Sequence, residues 1–362
     1  MSLNNIVTVN VSISSPAVDS ASFDNLLILG LPPVKTPLRP LPDVGVYSDL
    51  SEVSGAGYET VGSGADPVGI AARIAFSQNP KPSRIFIAAL REGGDTLLES
   101  VTDTLNRALE TTGWYVICPA GIPESDFELI AEWTEAQVKL FAYTFLSGAD
   151  PVPPVYFRSH GWCGLIGDDD QPSDVPDSNS YLHCAIAAKA LSHPAGSETW
   201  AFKQLAAVHP SALSGTLLKS LTEGDSNYFT RLAGRNVSMN GKVRGGEWID
   251  VIRGRDWLQN DMQLRIFNLL IMNPKIPYTN SGISLVEAQM MASLKAATER
   301  SIVAEDEFDA DGALVPGFTT NVPNSMNLTA TQRASRVLQD CRFSARLAGA
   351  IHCIRVDGGL TY

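Results

Sequence analysis

Positive charge is scarce in this chain of 362 residues: 27 Lys and Arg stand against 39 Asp and Glu, a formal net charge of −12. That balance argues against nucleic acid and anionic membrane as principal partners, though it leaves room for a local basic patch. Long apolar runs are missing too. Every apolar stretch is interrupted well before the roughly 18 residues that a membrane-spanning helix needs. The opening Met1-Ser2-Leu3-Asn4-Asn5 lacks the basic start of a secretory signal, so the sequence predicts a product made and kept in the cytosol, without direct membrane insertion. Cysteine is sparse: Cys118, Cys163, Cys184, Cys341 and Cys353 are odd in number, widely spaced and without a CxxC pair. They read as structural thiols, with an inter-subunit disulfide through Cys341 or Cys353 left open.

Chemistry-bearing motifs are equally absent. Gly55, Gly57, Gly62 and Gly64 match neither a dinucleotide fingerprint nor a P-loop. His160, His183, His193, His209 and His352 share no ligand spacing, and no G-x-S-x-G elbow marks a nucleophile. Glu307, Asp309, Asp311 and Gly312 imitate the first half of a calcium loop, yet Phe318 stands where the bidentate glutamate belongs. Three consecutive aspartates, Asp168 to Asp170, sit in a proline-bearing polar stretch and read as solvated charge. The sequence therefore predicts no cofactor, no metal and no enzyme, with a cytosolic α/β enzyme of dispersed catalytic residues as the alternative.

What is present is a globular composition, 44% hydrophobic and 18% charged, long enough for two or three domains. Much of its surface is then neither apolar nor ionic, which suits contacts with other proteins. Ile6 to Ser14 alternates strictly, with Val7, Val9, Val11 and Ile13 on one face, the period of a half-buried strand. Phe343 to Val356 is also apolar-rich. Terminal segments usually fray, and an unpaired apolar strand is an adhesive edge. Such ends either close a sheet within their own subunit or are donated to a neighbour.

Between the ends, Leu26 to Leu29 predicts a strand, and Asp66-Pro67 opens a helix running to Phe76. The segments Ile85–Ala89, Trp114–Cys118 and Leu140–Thr144 predict strands, separated by helices over 96–109, capped by Asp95, and 125–139. This β-α-β-α-β order predicts an α/β fold, α+β overall, with a small open sheet. Helices follow over 181–191 and 214–221. Asn240-Gly241 reads as a hairpin and Glu247 to Ile252 as a strand, before two helices over 257–272 and 284–300. The tryptophans, including Trp133, Trp200, Trp248 and Trp257, read as core packing.

Several segments together resemble the contractile tail sheath proteins of phages and phage-like particles. They are Asn4 to Ile13 followed by Phe23 to Gly30, then Gly196 to Lys203, the block Gly246 to Leu258, Ile276 to Ile283, and Leu347 to His352. The resemblance runs through nearly the whole chain in consistent order. Only the acidic loop near Asp168 has no counterpart. It implies a homo-oligomeric subunit, in stacked hexameric rings or a multi-start helix, that contracts to drive an inner tube through a target envelope. Its partners would be the tail tube protein and baseplate and tail terminator proteins, and its place a virion tail assembled in the host bacterial cytoplasm. A tube or baseplate component is a further reading, although tube proteins are much smaller.

By the same resemblance residues 1–22 form an N-terminal arm and linker, 23–235 an α/β region with the outer domain, 236–342 an inner tube-facing domain, and 343–362 a C-terminal arm. Val7, Val9, Val11 and Ile13, with Ile351, Ile354 and Val356, would be the inter-subunit strand residues. Contacts to the tube must release during contraction, which points to a modest ionic patch with Lys295 and Arg300 as candidates.

Overall fold

A computed structural model describes residues 22–35, 40–62, 64–91, 98–165 and 177–358. The N-terminal strand with Val7, Val9, Val11 and Ile13, the cap Asp95 and the triple aspartate all lie outside the described residues.

The strands are β1 (Leu26–Gly30), β2 (Gly45–Tyr47), β3 (Ile85–Ala89), β4 (Val116–Ala120), β5 (Leu140–Phe145), β6 (Ser159–Cys163), β7 (Asn227–Leu232), β8 (Arg235–Met239), β9 (Glu307–Phe308), β10 (Leu314–Val315), β11 (Phe318–Asn321) and β12 (Arg342–Ala345). The helices are α1 (Leu50–Gly55), α2 (Pro67–Phe76), α3 (Val101–Leu109), α4 (Phe127–Glu135), α5 (Leu182–Leu191), α6 (Gly215–Glu223), α7 (Ile249–Met272), α8 (Asn280–Glu299) and α9 (Ala330–Ser335).

Among the described residues β1 to β8 form one sheet in the order β2-β3-β1-β4-β5-β6-β7-β8. The run β3 to β7 is parallel, while β2 and β8 pair antiparallel at the two edges. The predicted sheet is thus correct in kind but too small. Its central strands are buried along their length, as parallel strands covered on both faces must be. One face carries α1, α2 and α5 with Trp162, Trp200 and the first turns of α7. The other carries α3, α4 and α6 around Trp114 and Phe141.

The start of α2 is as predicted, with Pro67 at the first helical position. Asp66, however, spends its carboxylate on the loops before the helix, accepting from the Glu59 and Val34 amides at 2.6 and 3.3 Å. The third helix begins later than expected: Ser100, not a residue near 95, caps it by accepting from the Asp103 amide at 3.1 Å.

Two readings around residue 240 need correction. The hairpin is β7–β8, which turns at Ala233-Gly234, and Asn240-Gly241 instead leads the chain out of the sheet with both residues at positive φ. The predicted strand Glu247–Ile252 is the beginning of α7, with Trp248 as N-cap. Ile249, Ile252, Arg253 and Asp256 are buried at the spacing of one helical face, and this period outweighs the short apolar alternation. The boundary expected between 235 and 236 accordingly cuts β8, and the chain leaves the sheet only after Met239.

Helices α7 and α8 pack side by side, and their own small core gathers Ala297, Ile302, Val303, Trp257, Leu258, Phe318 and Ala345. The antiparallel ribbon β11–β12 lies against them, and β9–β10 forms a second ribbon.

Candidate interaction site

A densely polar interior forms where α7 enters the sheet unit. Arg253 is fully buried; its Nε donates to the Phe23 carbonyl at 3.0 Å, and its two terminal nitrogens donate to Asp24 Oδ1 at 2.9 Å, the His193 carbonyl at 2.8 Å, the Ala190 carbonyl at 3.3 Å, and Glu198 Oε1. One turn on, buried Asp256 accepts from both terminal nitrogens of Arg158 at 2.7 and 3.1 Å and from the Tyr115 hydroxyl at 2.8 Å. Gly254, between them, lets Ile302 close against the helix. The block Gly246 to Leu258 is therefore a junction between two units, built from partners that lie far apart in the sequence.

Burial pushes the Glu198 carboxyl up to about 7, although Arg253 opposes the rise. Its ordinary value is 4.5, so the folded chain holds a proton here that the unfolded chain has released. Glu198's contribution to stability is then fully present below about pH 4.5 and is lost as pH rises through about 7. Arg253 stays satisfied by Asp24 and three carbonyls when Glu198 is neutral. Denaturant melts between pH 5 and pH 8 are expected to show this fall, flattened in Glu198→Gln; an unchanged slope would exclude Glu198 as its source.

The C-terminal segment is the other feature that draws attention. Its root is not a free arm, because β12 pairs with β11 of the same chain, Leu347 bridges Val303, and the Ala348 amide donates to the Ile302 carbonyl at 3.1 Å. The segment then passes a cavity of about 290 Å³ lined by Glu198, Asp250, Ser301, Leu347 and Ala350. His352 ends this attachment. Its Nε2 shares a hydrogen bond with Thr199 Oγ1 at 2.8 Å, and its ring meets Trp248 edge to face at 4.4 Å between centroids. The arm expected from residue 343 is thus anchored in its own subunit as far as 352. Ile351, Ile354 and Val356 stand 81, 77 and 85% exposed.

The ribbon β11–β12 presses Phe318, Thr320, Phe343 and Ala345 toward the helices. Along its edges each strand pairs only with the other among the described residues. Beside it Leu258, Met262, Ile266, Phe267, Leu270 and Phe343 line an apolar groove of about 570 Å³. Of the residues expected to face a tube, Lys295 is exposed on α8, whereas Arg300 stacks its guanidinium over Trp257 at 4.4 Å.

Ligand chemistry finds little support in this geometry. The strand order β3-β1-β4-β5 places a crevice between the carboxyl ends of β1 and β4, where doubly wound sheets bind ligands. Here Gly30 abuts Val68 and the Ala120 carbonyl, and Gly121 abuts Pro67, so the crevice is filled. Cys118, His183 and Cys184 bring ligand atoms within 4.8 Å of one another, a proximity their sequence spacing concealed. Yet His183 is already committed: Nε2 donates to the Pro119 carbonyl at 3.0 Å, and Nδ1 accepts from the Thr144 hydroxyl at 2.8 Å. That network offers a metal no free imidazole lone pair. The calcium-like segment is also something else, since Asp309 Oδ1 accepts from the Asp311 and Ala313 amides at 3.0 and 2.8 Å and shapes the β9–β10 turn. No described helix is long and apolar enough to cross a membrane.

Residues 249–359 match the family described as E217 tail sheath protein gp31-like, C-terminal domain. That match begins at the first residue of α7. No curated protein sequence matches the chain. Among solved structures, the anti-feeding prophage baseplate superposes with a TM-score of 0.69 at 13% identity, covering 98% of this chain and 100% of that one. The anti-feeding prophage helical sheath in its contracted state gives 0.69 at 11% identity, with 98% of each chain covered. The sheath complex of an extracellular contractile injection system, PVC, also contracted, gives 0.62 at 11% identity over 98 and 96%. The resemblance read from the sequence is borne out: the last third of the chain matches a tail sheath C-terminal domain, and nearly its whole length has the fold of contractile sheath subunits.

Proposed function

We propose that the subunit polymerises around an inner tail tube in stacked rings or a multi-start helix, linked by strands exchanged between copies, and that the lattice contracts to drive the tube forward. One observation carries this reading. Among the described residues the chain holds an unpaired acceptor and an unpaired donor at once: a two-stranded ribbon with open edges, and beyond His352 an exposed segment bearing Ile354 and Val356. Neither satisfies the other in its own subunit, and open edges of this kind are satisfied by added strands. The N-terminal row Val7, Val9, Val11 and Ile13 would supply a further strand to the same ribbon of a neighbour.

In this arrangement the sheet unit forms the outer layer, and α7 and α8 turn toward the tube with Lys295 as an exposed cation and Arg300 held beside Trp257. Strand links survive rearrangement, while side-by-side contacts exchange, so the stored energy lies in packing. The tube protein, baseplate and terminator are the remaining partners, and the tail of the particle is where the subunit works. Negative-stain microscopy of the purified chain is expected to show tubes or rings; a monodisperse monomer at high concentration would sink the proposal.

A further inference from the structure

Charge is segregated within the C-terminal unit. Glu305, Asp306, Glu307, Asp309 and Asp311 fall within seven residues, and no Lys or Arg occurs between Arg300 and Arg333. The next stretch reverses sign, with Arg333, Arg336, Arg342, Arg346 and Arg355 against Asp340 and Asp357 up to residue 358. The two stretches scarcely neutralise each other. Arg346 pairs with Glu307 at 2.9 Å, and Arg342 pairs with its neighbour Asp340 at 3.2 Å. Arg333 is spent on the Ser325 carbonyl at 2.5 Å. The exposed side chains of Arg336 and Arg355, and those of Glu305 and Asp311, make no ion pair among the described residues.

The acidic stretch is also shaped to protrude. It forms the β9–β10 ribbon, which pairs with no other strand among the described residues. Phe308 and Leu314 stand directly opposite each other there, 74 and 57% exposed. An isolated two-stranded ribbon is marginal in water, and an exposed aromatic flanked by carboxylates has the make-up of an interface element. An acidic protrusion and a basic segment on one chain, each with charges left unpaired among the described residues, describe a head-to-tail contact, the kind that closes into rings or propagates as a helix.

We propose that the acidic ribbon of residues 305–315 receives the arginine-bearing C-terminal segment of a second copy of this chain, with Arg336 and Arg355 as the incoming charges and Glu305 and Asp311 among the receiving ones. The proposal rests on the sheath reading and adds to it an electrostatic choice of partner and direction. Arg346 ties the base of the ribbon to the end of β12 through Glu307 and the Glu305 carbonyl. A neighbour's residues beyond His352, laid along β11–β12, would thereby bring Arg355 beside the carboxylates.

The test is charge reversal in the full-length chain. The pair Glu305→Lys with Asp311→Lys, and separately Arg336→Glu with Arg355→Glu, alter exposed side chains that make no ion pair, so unchanged circular dichroism and Tm verify folding. Each pair is expected to raise the concentration needed for assembly at least about tenfold at low salt. All four changes in one chain should restore most of the loss, and wild-type assembly should weaken as salt screens the contact. Normal assembly by both pairs, or a fourfold variant no better than the worse pair, overturns the contact while leaving the sheath reading intact. A wild-type chain that never assembles overturns the sheath reading and this contact with it.

Discussion

A chain lacking residues 1–14 is expected to fold with wild-type Tm and to form no tubes at any practical concentration. The lost segment offers the row Val7, Val9, Val11 and Ile13, each side chain worth about 1.5–3 kcal/mol when fully buried, and a run of main-chain hydrogen bonds at about 0.5–1.5 kcal/mol net apiece. Ordering the strand offsets much of that sum. A surplus of even about 4 kcal/mol per link shifts the assembly threshold roughly a thousandfold. Sedimentation together with negative-stain microscopy reads the result. Tubes forming at the wild-type concentration would rule out donation by this segment. A shortened chain that melts lower would instead place the strand inside its own subunit.

The second large effect is on stability. Arg253→Met is expected to lower the unfolding free energy by about 3–5 kcal/mol, because removing one member of a buried pair strands the other. Glu198 would lose its partner, and the Phe23, Ala190 and His193 carbonyls would lose a donor together. Arg253→Lys should recover little, since one ammonium cannot replace a planar fork serving five acceptors. Adding Glu198→Gln to Arg253→Met should change little further, since burial already keeps the Glu198 carboxyl neutral once the guanidinium is gone. Urea unfolding measures all three, and a change under about 1 kcal/mol for Arg253→Met would show that the junction is held by packing instead.

Much of the sheet unit was legible because its signals are local. Asp66-Pro67 starts a helix by geometry that any context preserves, and runs such as Leu26–Leu29 and Ile85–Ala89 are apolar because both faces are covered. β6 escaped notice because Ser159-His160-Gly161-Trp162-Cys163 carries no strand-like run, although all five residues are buried. β7 and β8 are polar toward an edge, and their pattern is set by neighbours. The first turn of α7 was misread because six residues fit two periods equally well, and only the burial of Arg253 and Asp256 decides between them.

The junction was on the page as a family signature without a physical role. Arg253 meets Asp24 and Glu198 at separations of 229 and 55 residues, which no local pattern reports. The attachment of the C-terminal segment to its own subunit was not legible. Nothing in Leu347 to His352 says that Thr199 and Trp248 wait for that histidine. The charge reversal between residues 305–311 and 333–355 lay open in the sequence, and only the geometry shows that Arg346–Glu307 is the one ion pair between its two halves among the described residues.

The way β12 is tied in has a mechanical consequence. The segment leaves β12 along the strand axis, and the β11–β12 hydrogen bonds, like those of any antiparallel ladder, run across that axis. A pull on the terminal segment therefore strains these bonds in shear and all at once, where a sideways pull would unzip them one by one. From there the tension passes through Ile302 and Val303 to α8 and α7, and across Arg253 and Asp256 to Phe23, Tyr115 and Arg158, which lead into the interior strands β1, β4 and β6. The subunit is thus built like a rope fitting, strongest along the one direction in which a linked lattice would tug it.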